Sequence, residues 1–173
     1  ENGMYTITTG ERRWRAARLL KERGEYPEGF HNKVPVTIID PDNTYIDVDA
    51  VIGEDTVIYP NVHIQGKTVI GKNTVILPNS FLRNAVIGDD VTIDSSKIVE
   101  SSVGNHSTVG PMSHLRNNTE ICEDCRIGNF VEFKNSHFGD SSKCAHLTYI
   151  GDSDFGKKIN VGCGVVTVNY DGK

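Results

Sequence analysis

The chain has 173 residues, 37% of them hydrophobic and 24% charged, with a net charge of −5. That is enough for one domain with a buried core; it is too apolar for disorder, and no run nears the roughly 18 apolar residues of a membrane span. Sixteen Ile and 18 Val stand against six Leu, with 17 Gly. β-Branched residues plus glycine favour strands and turns, so a helical bundle and a Rossmann-like alternation are both disfavoured.

Residues 1–33 carry seven Lys/Arg against five Asp/Glu, which leaves a charge of −7 for the rest. An acidic body argues against a general nucleic-acid surface. Within this segment, Gly10 to Lys21 reads as a helix, with Thr8 or Thr9 as N-cap and Gly24 and Pro27 marking its end. Gly10-Glu11-Arg12-Arg13-Trp14-Arg15-Ala16-Ala17 resembles the GERR-x-RA box of ParB-type partitioning proteins, where that box meets nucleotide phosphates. The plainer expectation is a basic helix capping the first coil of the downstream repeat, with Trp14 and Leu19 as its apolar contacts. The chain starts at Glu1 rather than Met, so it reads as a fragment, and no secretory apolar region is present. A cytoplasmic protein without a membrane partner is expected.

Residues 34–45 read as an extended lead-in with a turn at Asp40-Pro41. From Ile46 onward a six-residue repeat takes over. Large apolar residues recur at 46, 52, 58, 64, 70, 76, 82, 87, 93, 98, 103, 109, 115, 121, 127, 133, 138, 150, 155 and 161, with Cys144 and Thr167 in phase. Sixteen of the 21 steps are six residues and five are five. Ten of the Gly directly follow such a residue, and Thr or Ser commonly stands two before it. A period of six cannot sit on one face of a helix, but it is three strand periods, so residues i and i−2 share a face. The large side chain points inward, the small one fills the space beside it, and three hexads close a coil. Twenty-two hexads predict about seven coils stacked as parallel strands.

The stretch 46–105 offers few reactive groups and reads as scaffold. His63 and His106 fall on separate coils with no third histidine in phase, so a zinc site of that kind is not expected. Cys122 and Cys125 form a C-x-x-C, but no second C-x-x-C or H-x3–5-H completes a metal site. These two, with Cys144 and Cys163, are read as reduced thiols.

Residues 106–173 are richer in polar groups, including His114, His137 and Lys143. Arg116 and Lys134 each follow an inward residue and lie 18 residues apart, so they are expected side by side on neighbouring coils, about 5 Å apart. Two cations so placed suit a dianion such as a sugar phosphate, or stand as solvated surface charges. His146 lies two residues past Cys144, on the approach to that pair, where an imidazole can take a proton at neutral pH; a purely structural histidine is the alternative.

Several segments are more specific than the repeat. They are Val36-Thr37-Ile38-Ile39-Asp40-Pro41, Asn43-Thr44-Tyr45-Ile46, His114-Leu115-Arg116, Ile127-Gly128-Asn129-Phe130-Val131-Glu132-Phe133-Lys134, His146-Leu147-Thr148-Tyr149-Ile150-Gly151-Asp152 and Asn169-Tyr170-Asp171-Gly172. Residues 36–173 resemble the acetyltransferase domain of the bacterial bifunctional N-acetylglucosamine-1-phosphate uridyltransferase/glucosamine-1-phosphate acetyltransferase family. The resemblance implies an all-β, left-handed parallel β-helix; the hand comes from the resemblance alone. It divides the chain into an N-terminal helical segment, 1–33, and a β-helix acetyltransferase domain, 34–173.

The implied activity is acetyl transfer from acetyl-CoA to the amine of glucosamine 1-phosphate, on the route to UDP-N-acetylglucosamine and the peptidoglycan cell wall. Carried over position by position, His146 is the general base, and Arg116 and Lys134 hold the sugar phosphate. Tyr149 and Asn160 orient the sugar and its amine. Cys163, at a position usually Ala, meets acetyl-CoA through its backbone, and Asn169 and Tyr170 line the CoA side. A homotrimer with sites between subunits is implied, and no metal is expected in this domain. No counterpart of the uridyltransferase domain is expected in these residues. A chain stopping at Lys173 is expected to leave its last coil as an open edge and to acetylate poorly. Another hexapeptide acyltransferase and a non-catalytic oligomerisation scaffold remain alternatives.

Overall fold

The structure is a computed structural model and describes residues 36–168. The helix expected over Gly10–Lys21, and the expected CoA-side residues Asn169 and Tyr170, fall outside the described residues.

The chain winds as a parallel β-solenoid with three faces. The first face stacks Thr37–Ile38, Val57–Ile58, Val75–Ile76, Thr92–Ile93, Thr108–Val109, the opening of Arg126–Lys134, the opening of Lys143–Gly151, and Asn160–Val161. The second stacks Tyr45–Ile46, His63–Gln65, Phe81–Arg83, Lys97–Val99, His114–Arg116 and the closing halves of the two nine-residue strands. The third runs from Val51–Ile52 through Val69–Ile70, Val86–Ile87, Ser102–Val103, Glu120–Ile121 and His137–Phe138 to Asp154–Phe155. Every pairing is parallel, giving about seven coils.

The coil starts earlier than the regular repeat. Ile38 pairs with Ile58, so the lead-in already forms the first rung, and a 3-10 turn at Pro41–Asn43 takes up the longer step to Ile46. Proline at the head of that turn has its φ preset for it. The inward residues from Ile58 to Ile150 are at most 2% exposed, Cys144 included. Phe133, Phe138 and Phe155 thicken the core of the last coils, packing edge to face at centroid distances of 5.2 and 5.7 Å.

The small residues two before each rung do more than fill space. Thr56 donates its hydroxyl to the Gly71 carbonyl (2.8 Å), Thr74 to Gly88 (3.0 Å), Ser107 to Cys122 (3.1 Å) and Thr119 to Arg116 (2.8 Å). The first three satisfy carbonyls at bends, and the Arg116 carbonyl also accepts the Asn135 N–H at 3.1 Å. The bends themselves need left-handed backbone. A residue with positive φ recurs in nearly every hexad, usually Asn or Asp, as at Asp55, Asn61, Asn73, Asn79, Asp90 and Asp124. The five-residue steps lose their residue at this bend: after Leu82, Ile93, Ile98, Phe133 and Ile150 the left-handed residue comes two positions later instead of three. The rungs therefore stay in register although the spacing varies.

Candidate functional site

The second face carries most of the groups singled out in the sequence. Its outward positions form two parallel columns. One runs Tyr45, His63, Phe81, Lys97, His114, Glu132, Tyr149. Its early members are in ring contact: Tyr45 stacks on His63 at 4.7 Å, and Lys97 Nζ lies 5.6 Å from the centre of the Phe81 ring. Its later members, His114, Glu132 and Tyr149, are polar and half-buried. Burial pushes the His114 imidazole below its ordinary value; Glu132 opposes this, and Lys97 and Arg116 add to it.

The second column brings Arg116 and Lys134 together as register partners on adjacent strands. Each cation has its own carboxylate. Arg116 Nε donates to Glu132 Oε1 at 2.7 Å, and Lys134 Nζ donates to Asp152 Oδ2 at 2.9 Å. Asp152 also accepts from the Asn135 amide at 2.7 Å. The repulsion expected between two neighbouring cations is thus offset inside the chain. The pair forms a preorganised polar surface with donors left over, because Arg116 uses only one of its five N–H groups in this contact.

His146 stands at the other end of this face, at the bend between the first and second faces, in register with Asn129. Its side chain is exposed. Tyr149 and Glu132 lie between it and the cation pair, so these groups border one face rather than meet at one edge. Asn160 is exposed on the first face as the register partner of Lys143. Cys144 pairs with Val161 and Tyr149 with Val166, so Cys163 stands one coil above His146. It is an exposed free thiol.

Two features here are missed by reading the sequence. Glu132 and Asp152 are not recognised there as counter-ions, although both lie one coil from their partners. The other feature is a ridge at the bend beside His146. Met112, Phe130 and Leu147 stack there on successive coils with positive φ, and are 60%, 61% and 62% exposed. Earlier coils have Asn61 and Asn79 at the same bend. Apolar residues in left-handed backbone, facing solvent, stand out from the repeat, and the sequence carries that departure as a signal.

The C-x-x-C is divided by the solenoid. Cys125 is buried, with its thiol 3.4 Å from the Gly139 carbonyl, whereas Cys122 points outward on the third face. Among the described residues, no helix is long and apolar enough to cross a membrane.

Stacked six-residue rungs with a polar face over the last coils define a hexapeptide-repeat protein. Residues 49–84 match the family described as bacterial transferase hexapeptide (six repeats), which supports the left hand expected for the coil. The chain is homologous to the bifunctional protein GlmU. It is 54% identical to that of Acetivibrio thermocellus over 143 residues, covering 83% of this chain and 31% of that protein. It is 53% identical to that of Clostridioides difficile over 138 residues, covering 80% of this chain and 30% of that protein. The chain thus spans about a third of the length of the curated relatives it matches. Among solved structures, the acetyltransferase domain of PglB from Neisseria gonorrhoeae FA1090, in complex with acetyl coenzyme A, shares the fold. Its TM-score is 0.51 at 17% identity, covering 80% of this chain and 60% of that one.

Proposed function

We propose that this chain transfers acetyl from acetyl-CoA to the amine of glucosamine 1-phosphate, as a cytoplasmic enzyme of UDP-N-acetylglucosamine synthesis. The observation that carries the reading is the 54% identity to GlmU sustained over 143 residues. The arrangement of the second face supports it. Arg116 and Lys134 offer adjacent cationic donors for the sugar phosphate. Tyr149 and Asn160 orient the sugar.

His146 accepts a proton from the amine as it attacks the thioester carbonyl. The amine nitrogen gains the acetyl carbon, the C–S bond breaks, and the thiolate of CoA takes a proton. Transfer is direct, with no acyl-enzyme. Asn169 is the candidate donor to the oxyanion that forms on the carbonyl oxygen. With Tyr170 and the backbone of Cys163, it lines the CoA side.

The apolar ridge of Met112, Phe130 and Leu147 supports self-association, and we place it against a second copy in a homotrimer with sites between subunits. The test is release of free CoA from acetyl-CoA, followed with glucosamine 1-phosphate and with other amino sugars. Release that depends on glucosamine 1-phosphate is expected. Turnover no faster than buffer, or faster with a different acceptor, overturns the assignment.

A further inference from the structure

On the third face, away from the cation pair and His146, three chemically different side chains converge. Glu120 and His137 are register partners on neighbouring strands, and Cys122 follows two residues after Glu120 on the same outward side. One donor atom from each lies within 4.8 Å of the others. Cys122 Sγ is 3.2 Å from His137 Nε2, and His137 Nδ1 is 2.8 Å from Asp154 Oδ1 on the next coil. With Nδ1–H donated to Asp154, Nε2 turns its lone pair toward the thiol.

That geometry admits two readings. One is an activated nucleophile, in which the imidazole takes the thiol proton. The surroundings of Cys122 oppose it: partial burial first, then the Glu120 and Asp140 carboxylates, disfavour a bare thiolate. Asp140 itself is tied to Lys157 Nζ at 2.6 Å. The same carboxylates that disfavour an anion favour a cation. Thiolate, imidazole and carboxylate are the donors that borderline divalent ions select, and a carboxylate bonded to the second nitrogen of the imidazole is the usual way such a ligand is oriented.

We propose that Cys122 Sγ, His137 Nε2 and a Glu120 carboxylate oxygen bind one divalent cation of the zinc class, with Asp154 orienting the histidine and water at the fourth position. On binding, the thiol proton passes to solvent and a sulfur–metal bond replaces it. One thiolate and one carboxylate then balance the ion's two charges. Tetrahedral geometry asks for about 3.6 Å between sulfur and nitrogen, so the present contact opens by a few tenths of an ångström. Glu120 and His137 also line an open groove of about 390 Å³, which gives the ion access from solvent. Because the ligands come from two coils and their support from a third, the ion clamps successive rungs together.

Cobalt(II) titration of the metal-free protein tests this. One ion per chain is expected, with a thiolate-to-cobalt charge-transfer band and ligand-field bands of tetrahedral intensity, both displaced by zinc. Cys122→Ser abolishes the charge-transfer band. His137→Ala and Asp154→Asn each weaken binding by about tenfold or more. Cys163→Ser leaves the band unchanged. Zinc raises the melting temperature of the parent chain but not of Cys122→Ser. Because these side chains point outward, circular dichroism is expected to show each variant folded; if Cys122→Ser is not, the two weakened variants carry the decision. No band at saturating cobalt, a band indifferent to His137 and Asp154, or one that disappears with Cys163 overturns the proposal.

Discussion

Arg116 and Lys134 are register partners on adjacent strands, and each is neutralised by a carboxylate one coil onward, Glu132 at 2.7 Å and Asp152 at 2.9 Å. The like-charge pair is therefore tolerable without ligand, and its remaining donors face outward. For Arg116→Ala, a rise of roughly 10- to 100-fold in the KM for glucosamine 1-phosphate is expected, from loss of about 1.5–3 kcal/mol of charge-assisted hydrogen bonding. The KM for acetyl-CoA should stay within about twofold in the same assay. Equal changes in both would count against a phosphate role.

His146 is exposed, and among the described residues none is hydrogen-bonded to its ring. In the proposed role of base it must act on bound substrate. His146→Ala is expected to lower kcat by about 10²-fold or more while leaving the fold intact. Steady-state kinetics alongside circular dichroism check this. A variant with near-normal kcat removes the residue from the mechanism.

Cys163 is exposed and Cys125 and Cys144 are buried. Burial pushes the Cys144 thiol up to about 11, so it is neutral and shielded at ordinary pH. Maleimide is expected to label Cys163 first, and saturating CoA to slow that labelling severalfold if its backbone borders the cofactor. Mass spectrometry of the labelled peptides reads both effects. Labelling of Cys163 indifferent to CoA would place the cofactor elsewhere.

Phe130 and Leu147 sit at φ +57° and +34° on the exposed ridge. Apolar side chains in that conformation cost about 1–3 kcal/mol each, a cost that contact with another copy can offset. Replacing both with Asn relieves the backbone while removing apolar surface. Sedimentation is expected to show the double variant shifted to smaller species at a given concentration. An unchanged sedimentation coefficient would mean that the ridge lies outside the interface.

Burial holds the His114 imidazole below its ordinary value of 6.5, so the unfolded chain binds that proton more readily than the folded one. The associated stability is present above that value and is lost as the pH falls below it. Thermal unfolding between about pH 7 and about pH 5 should show a decline that is shallower in His114→Gln. Identical profiles would mean that other groups set the acid limb.

Much of the fold is legible without coordinates. Rungs 46 to 161 can be counted off because one inward position recurs with little interruption, and the pairing of Arg116 with Lys134 comes from the same count. The earlier start at Thr37–Ile38 is hidden by the eight-residue step that the Pro41–Asn43 turn inserts. Cys122 and His137 escape a search for metal motifs at fixed local spacings. Their strands are 17 residues apart rather than 18, since the step from Phe133 to Phe138 is one residue short.

By itself, the sequence determined the solenoid, its register and which residues face outward. A strand alternates its side chains strictly, and one buried column anchors every coil. Only the tertiary structure decided which outward groups touch. Glu132 against Arg116, Asp152 against Lys134, and His137 between Cys122 and Asp154 depend on side-chain rotamers across coils. Repeat phase sets the backbone, but it leaves the reach and direction of a long polar side chain free until its neighbours are in place.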